Sequence, residues 1–301
     1  MIWQNKATVR RANKETSIRP VTTLAFTVFL VALLAFLGAT PVAASSRYLD
    51  VQGNANHNVS LVLLNLANEA RSSAGLSTLS YDYGLQNEVE QRAAEISIYF
   101  EHAKPDGRSP FANCQVAYMG ENIQVTPIQG SAQDQAQAIF DAFKASPTHW
   151  SNIMDPSWTV MAAGVWHAGS FDKDGESWPL AHVAQWFSDT PTGLSQSAGA
   201  GSAKRQVFVS NLPNISFNVE ESRIVARLSG NTYGAMDGWS YSLTVANSSF
   251  SFISDNPAVV AIGQDGALIA QGDGSARIQV LDSLGQAIAY LDVTAQNGLV
   301  N

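Results

Sequence analysis

The sequence predicts an α+β domain followed by an all-β domain. Two changes of pattern carry this reading. Apolar residues recur at helical spacing in three segments between residues 58 and 143, and after Trp158 the period falls to two. A stretch poor in bulky apolar residues, TPTGLSQSAGAGSAKRQ, then separates this region from a run of short β-like segments with turn dipeptides between them. The expected organisation is a leader over 1–44, a first domain over 45–190, a flexible linker over 191–206 and a second domain over 207–301.

The leader has a positive region (Lys6, Arg10, Arg11, Lys14, Arg19), an apolar run from Leu24 to Leu37 broken only by Thr27, and small residues at Val42-Ala43-Ala44. That is the layout of a signal peptide cut after Ala44, which predicts a secreted protein; an uncleaved membrane anchor is the rival reading. Next, Asn58 is placed to cap a helix with Val59, Leu63, Leu66 and Ala70 on one face and Gly75 as its stop. Asp82 opens a second helix, running to about Phe100. Its apolar face is Leu85, Val89, Ala93 and Ile96, Glu88 and Arg92 sit on another face, and His102 falls at its end. Ser131 with Asp134 forms a capping pair for a third helix that turns Ala136, Ile139, Phe140 and Phe143 inward. Pro147 fits a first helical position, with His149 in the same turn.

Residues 161–168 and 178–187 are aromatic-rich strand candidates joined at Asp174-Gly175, a hairpin signal. Asp172, Asp174 and Glu176 lack the glycine and distal Glu of a calcium loop and fit a polar hairpin tip. The segments beyond 207, punctuated by Asn256-Pro257, Asp265-Gly266 and Asp273-Gly274, predict a β-sandwich.

Composition narrows the function classes. Cleavage after Ala44 removes those five basic residues and Glu15, which takes the formal net charge from −8 to −12. So acidic a surface is repelled by nucleic acid and by anionic lipid, so neither is an expected partner. Cys114 is the only cysteine, so the fold rests on its core and not on an internal disulfide. No Ser-His-Asp order, phosphate loop or CxxC is present.

Four side chains can carry chemistry if the fold gathers them: His102 in HAKPDG, Glu121 in GENI, His149 in SPTHWSNIM and Gln185 in HVAQWF. Two imidazoles and a carboxylate suffice for a divalent metal such as zinc with an open position, or for general acid–base work. An imidazole in a first helical turn meets the positive end of the helix dipole, which favours its neutral form. Each also has an architectural reading: Glu121 as acceptor of backbone N–H groups, His149 as a hydrogen-bonded turn residue, His167 and His182 as strand packing, His57 as an exposed residue and the tryptophans as core.

The segment from about Val59 to Phe187, through HAKPDG, GENI and SPTHWSNIM in that order, resembles the CAP superfamily of cysteine-rich secretory, antigen 5 and pathogenesis-related proteins, and more closely its disulfide-free bacterial branch. The resemblance implies an α-β-α sandwich with a groove at one end. It also implies groove residues at His102, Glu121 and His149, with Ser146 where eukaryotic members carry a second Glu and Trp150 where bacterial relatives commonly have Arg. The family's reported properties include divalent metals, sterol or lipid binding and protease activity. Residues SFISDNPAVVAIGQDGALIAQGDGSARIQVLD resemble the bacterial Ig-like group 2 domain, a spacer or adhesive unit of cell surfaces.

Together these readings predict an exported binding protein. Its groove, formed by His102, Glu121, Ser146, His149 and Gln185, would take a small molecule, lipid, cell-envelope component or divalent metal, and an Ig-like module would hold it near the envelope. The alternative is a metal-assisted hydrolase of peptide or cell-wall material, with Glu121 as base and His102 and His149 as metal ligands.

Overall fold

The structure, a computed structural model, describes residues 47–114, 116, 118–173, 175–193, 203–231 and 240–301. The expected leader therefore lies outside the described residues. Among those described, no helix is long and apolar enough to cross a membrane.

The described chain begins with strands β1 (Arg47–Gln52) and β2 (Asn54–Ala55), then helix α1 (His57–Ser73). The cap of α1 is Asn56, two residues before the expected Asn58; its side chain accepts from the Val59 amide at 3.4 Å. Gly75, at φ +72°, ends the turn. Arg71 of this helix is fully buried, donating to the Ser77, Ile153 and Asp155 carbonyls and so satisfying backbone groups of two loops.

After β3 (Ser80–Tyr81) and a 3₁₀ turn capped by Asp82, helix α2 spans Gln86–Ile96. It stops four residues short of the expected Phe100. The Ser97 hydroxyl donates to the Ala94 carbonyl and both Ile98 and Tyr99 amides fold back on Glu95, which closes the helix. His102 consequently lies in the loop after the helix and not at its end.

Strand β4 (Met119–Pro127) leads to α3 (Ala132–Ala145), whose Ser131–Asp134 capping box and four inward residues are as the sequence predicts. Ser146 closes α3 and opens α4 (Pro147–Ile153) with Pro147 in its first turn. Strands β5 (Val160–Lys173) and β6 (Glu176–Ser188) form the expected hairpin, longer than expected at both ends; Gly175 turns at φ +81°, and Asp174 lies outside the described residues. Alternate residues of the hairpin serve different partners. Met161, Ala163, Val165, Val183 and Phe187 pack with α1, α3 and α4, whereas Ala162, Ala184 and Trp186 pack with Leu85 of the 3₁₀ turn and Val89 of α2. At Gly164 the Val89 carbonyl comes within 2.1 Å of where a Cβ would stand, so only glycine lets α2 lie this close.

The later strands are β7 (Lys204–Val209), β8 (Ile215–Glu220), β9 (Arg223–Asn231), β10 (Ser240–Val245), β11 (Ser251–Ser254), β12 (Val260–Ile262), β13 (Leu268–Ala270), β14 (Gly274–Leu281), β15 (Ala287–Gln296) and β16 (Leu299–Val300). Strands β1 to β10 share one ten-stranded sheet with the path β4-β6-β5-β10-β1-β7; β11, β14, β15 and β16 form a second sheet, and β12 pairs with β13. Ile224, Val260, Leu268, Ile278 and Val293 make one core across these later elements.

This topology corrects the expected linker. Residues 194–202 of it lie outside the described residues, but Lys204, Arg205 and Gln206 already belong to β7, paired with Gln52, Val51 and Asp50 of β1. Strand β1 in turn pairs with β10 at Val51↔Val245. The cause lies in KRQVFV, where Val207 and Val209 alternate with exposed residues and bury beside Leu49 and Val51. The outer edge of β7 is covered as well: Gln206 O accepts from Gln91 and the Ser210 amide donates to the Pro105 carbonyl.

Candidate functional site

Glu121 stands on β4 with 7% of its surface exposed, and both carboxylate oxygens are engaged. Oε1 accepts from Arg92 Nε at 2.9 Å and from Trp186 Nε1 at 3.0 Å; Oε2 meets His102 Nδ1 at 2.8 Å. Burial alone would push this carboxyl up, but the Arg92 charge and the hydrogen bonds from His102, Arg92 and Trp186 outweigh it and hold it below the usual carboxylate range. An ionised carboxylate only accepts, so Nδ1 of His102 carries a hydrogen and directs it at Oε2. The His102 side chain is 22% exposed, which leaves this imidazole as the accessible member of the pair.

The support beneath them is ionic and buried. Arg92, on α2, is fully buried and also donates to the Glu101 carbonyl next to His102. Its Nη1 lies 3.8 Å from Glu95, whose other oxygen accepts from the buried Lys104 at 3.1 Å. Burial raises the Glu95 carboxyl despite these cations, consistent with an Oε2 that has no hydrogen-bond partner. HAKPDG is therefore held at both ends of its first half: His102 on Glu121, Lys104 on Glu95.

The next residue along β4 serves a different network. Asn122 donates to Gln185 Oε1 at 3.0 Å and to the His149 carbonyl at 3.2 Å, and accepts from Asn152 at 3.0 Å. Trp158 Nε1 completes the chain on the Asn152 carbonyl at 2.9 Å. These amides fasten α4 to the sheet. Gln185 is fully buried in them, so the expectation that it lines a groove is corrected: in the β4–β6 register it faces Asn122, while Glu121 faces Trp186, and strand alternation separates the two pairs.

His149 sits in the first turn of α4, half-buried, with its ring edge-on to Phe143 at 5.3 Å. Burial pushes its pKa down to about 4, so the ring is neutral. Its buried Nδ1 has no hydrogen-bond partner. Ser146 spends its hydroxyl on Thr148 at 3.1 Å and does not cap α4. Trp150 packs on Phe140 and under the Lys144 ammonium, 5.6 Å from its ring.

Among the described residues no three His, Cys, Asp or Glu side chains are placed to hold a metal ion. With Glu121 saturated by Arg92, Trp186 and His102, the zinc reading of His102, Glu121 and His149 loses its third ligand. Glu121 is also poorly placed as a general base, being nearly inaccessible and with donors on both oxygens. It orients His102 instead.

The remaining histidines are structural. His182 is fully buried and meets the Ala168 carbonyl at 3.0 Å; His167 is half-buried in β5. His57, expected to be exposed, is half-buried against Tyr81 and Tyr83. Burial and Glu88 push the Cys114 thiol up to about 11, so it is a packing residue beside Trp186 and not a nucleophile. Its alkylation by iodoacetamide is expected to be very slow at pH 7.5 and to accelerate roughly tenfold per pH unit towards its pKa, which mass spectrometry checks.

Sequence reasoning missed Arg92, Trp186, Asn122 and Asn152. Only Arg92 left a signal, as a cation directly beside the apolar Ala93-Ala94 with Glu95 three residues on. No curated protein matches the chain. Residues 64–178, which carry His102, Glu121, Ser146 and His149 but not Gln185, match the family model of CAP, the cysteine-rich secretory protein family.

Proposed function

We propose that residues 64–178 act as a CAP-type extracellular binding domain in an exported protein, with His102 and His149 presenting their imidazoles to a small organic or lipid ligand. The observation that carries this reading is the pair of unequal imidazoles: His102 fixed through Nδ1 by Glu121, and neutral His149 with a buried Nδ1 that lacks a partner. The His102 side chain, 22% exposed and fixed through Nδ1, is the ring a ligand can meet. The packing of α2 against one set of alternate strand residues, and of α1, α3 and α4 against the other, supports an α-β-α sandwich. The later sheets, with the turn at Asp265-Gly266 (φ +50° and +73°), support an Ig-like module, and the acidic chain and its leader pattern support export.

A second reading draws on the same contact. A carboxylate that orients an imidazole is also the arrangement of a general base, so a hydrolase would use His102 as base with Glu121 orienting it. Titration with a fatty acid, a sterol and a muropeptide, followed on the histidine ring resonances, separates the two. Binding predicts that one probe shifts His102 and His149 together, and that His102→Ala with His149→Ala weakens it at least about tenfold, or about 1.4 kcal/mol. Muropeptide or casein turnover abolished by His102→Ala would replace binding with hydrolysis. Zinc alone is expected to give identical calorimetric traces for wild type and both alanine variants.

A further inference from the structure

We propose that the C-terminal β-rich half is a positioning element for the His102–Glu121 pair, acting through α2, and not a tethered spacer. This goes beyond the binding reading and holds whatever the site takes up. Contacts from the C-terminal half converge on α2 and its exit. Arg205 of β7 donates from Nη2 to Glu90 at 2.6 Å, an ion pair whose side chains are only 13% and 5% exposed. The same guanidinium reaches Asn87 Oδ1 at 3.0 Å, and Gln91 Nε2 donates to the Gln206 carbonyl at 2.9 Å. At the far end of the helix Tyr241 of β10 donates to the Ser97 carbonyl at 2.8 Å, a buried bond. Past the helix, the Ser210 amide holds the Pro105 carbonyl at 3.0 Å.

These grips lie on both sides of the site in sequence. Between them fall Arg92, which donates to Glu121 and to the Glu101 carbonyl, and His102 itself. Glu90 and Arg92 are two residues apart, about 200° around a helix, so one flank of α2 is held by β7 while the opposite flank delivers the guanidinium to Glu121. The helix approaches the sheet most closely where Gly164 admits the Val89 carbonyl. Arg205, at Asn87 and Glu90, and Tyr241, at Ser97, add grips from the C-terminal half towards the two ends of the helix. A spacer on a flexible linker would place no buried ion pair or buried hydrogen bond on this helix.

The test uses the full chain and the ring nitrogen resonances of His102, which report whether Nδ1 is held by Glu121. Arg205→Met and Tyr241→Phe are expected to disturb that signature, and Arg205→Lys to restore most of it by returning a cation to Glu90. Val293→Ala is the control: it removes core volume at a residue 2% exposed, in the sheet of β14 and β15. It is expected to lower stability and leave His102 unchanged. Tyr241→Phe removes one hydroxyl and keeps the ring, so a folded variant is available even where Arg205→Met is not. The proposal is overturned if His102 is unmoved in Arg205→Met and Tyr241→Phe, or if Val293→Ala moves it as far.

Discussion

Replacing Arg92 by Met is expected to lower the free energy of unfolding by about 3–5 kcal/mol at pH 7, because it strands buried carboxylates and does not merely delete a contact. The methionine fills much of the stem's volume, so the loss is mainly electrostatic. Glu121 keeps its bonds from His102 and Trp186 but loses its strongest counter-charge, and Glu95 loses the cation 3.8 Å from its unpartnered oxygen. The pH dependence gives the signature. In the wild type the Glu121 carboxyl is held low, so its contribution is present above the unfolded carboxylate pKa and is lost as pH falls through the folded value. In Arg92→Met burial is no longer offset and the Glu121 pKa rises. The penalty is then greatest near neutrality and shrinks as pH falls through the raised pKa. Urea unfolding at pH 7 and pH 5 reads this directly; a loss below about 1 kcal/mol at both pH values would show that the buried pair contributes little.

How much of this was legible in the sequence depended on how local the determining contacts are. Helix α3 was readable throughout, since its capping box and its four inward residues lie within one segment. The place of His149 in the first turn of α4 was readable for the same reason, from Pro147 two residues before it, whereas its neutral state comes from burial. Helix α2 was half legible. Its apolar face was correct, but spacing grouped Arg92 with Glu88 on one other face, whereas Arg92 turns to Glu121, 29 residues away, and Glu88 accepts from Asn113. Charge pattern along one helix holds no information about a carboxylate on a later strand. The gathering of His102 and Glu121 was legible through the motif order of the CAP resemblance, but the placing of Gln185 beside them was not. A one-residue step along β4 decides which side chain meets which network, and only the β4–β6 register fixes it. The end of the linker was not legible: β1 and β7 pair at separations such as Val51↔Arg205, and nothing in RYLDVQ or KRQVFV names the other.

His182→Gln is expected to remove a large part of the protein's loss of stability between pH 6.5 and pH 4. His182 is fully buried, its Nε2 meets the Ala168 carbonyl at 3.0 Å, and its Nδ1 has no partner. Burial pushes its pKa down from 6.5 to about 4. A base whose folded pKa is depressed stays neutral in the native state while the unfolded chain takes up a proton, so stability is intact above about 6.5 and drains away until the folded pKa is reached. A gap of this size corresponds to about 3 kcal/mol. His149 titrates in the same window, but its half-buried ring contributes less. Carboxylates such as Glu121 lose their contribution only below about 4.3, so the two limbs separate. The glutamine keeps an N–H for Ala168 and does not titrate, which should flatten the upper limb and leave the lower one in place. Parallel stability curves for wild type and variant would assign the acid loss elsewhere. The location gives the effect its reach: the His182 ring lies 5.7 Å from that of Tyr241, whose hydroxyl holds the end of α2 at Ser97. A proton forced onto His182 below its folded pKa therefore acts on the strand whose Tyr241 holds the end of α2.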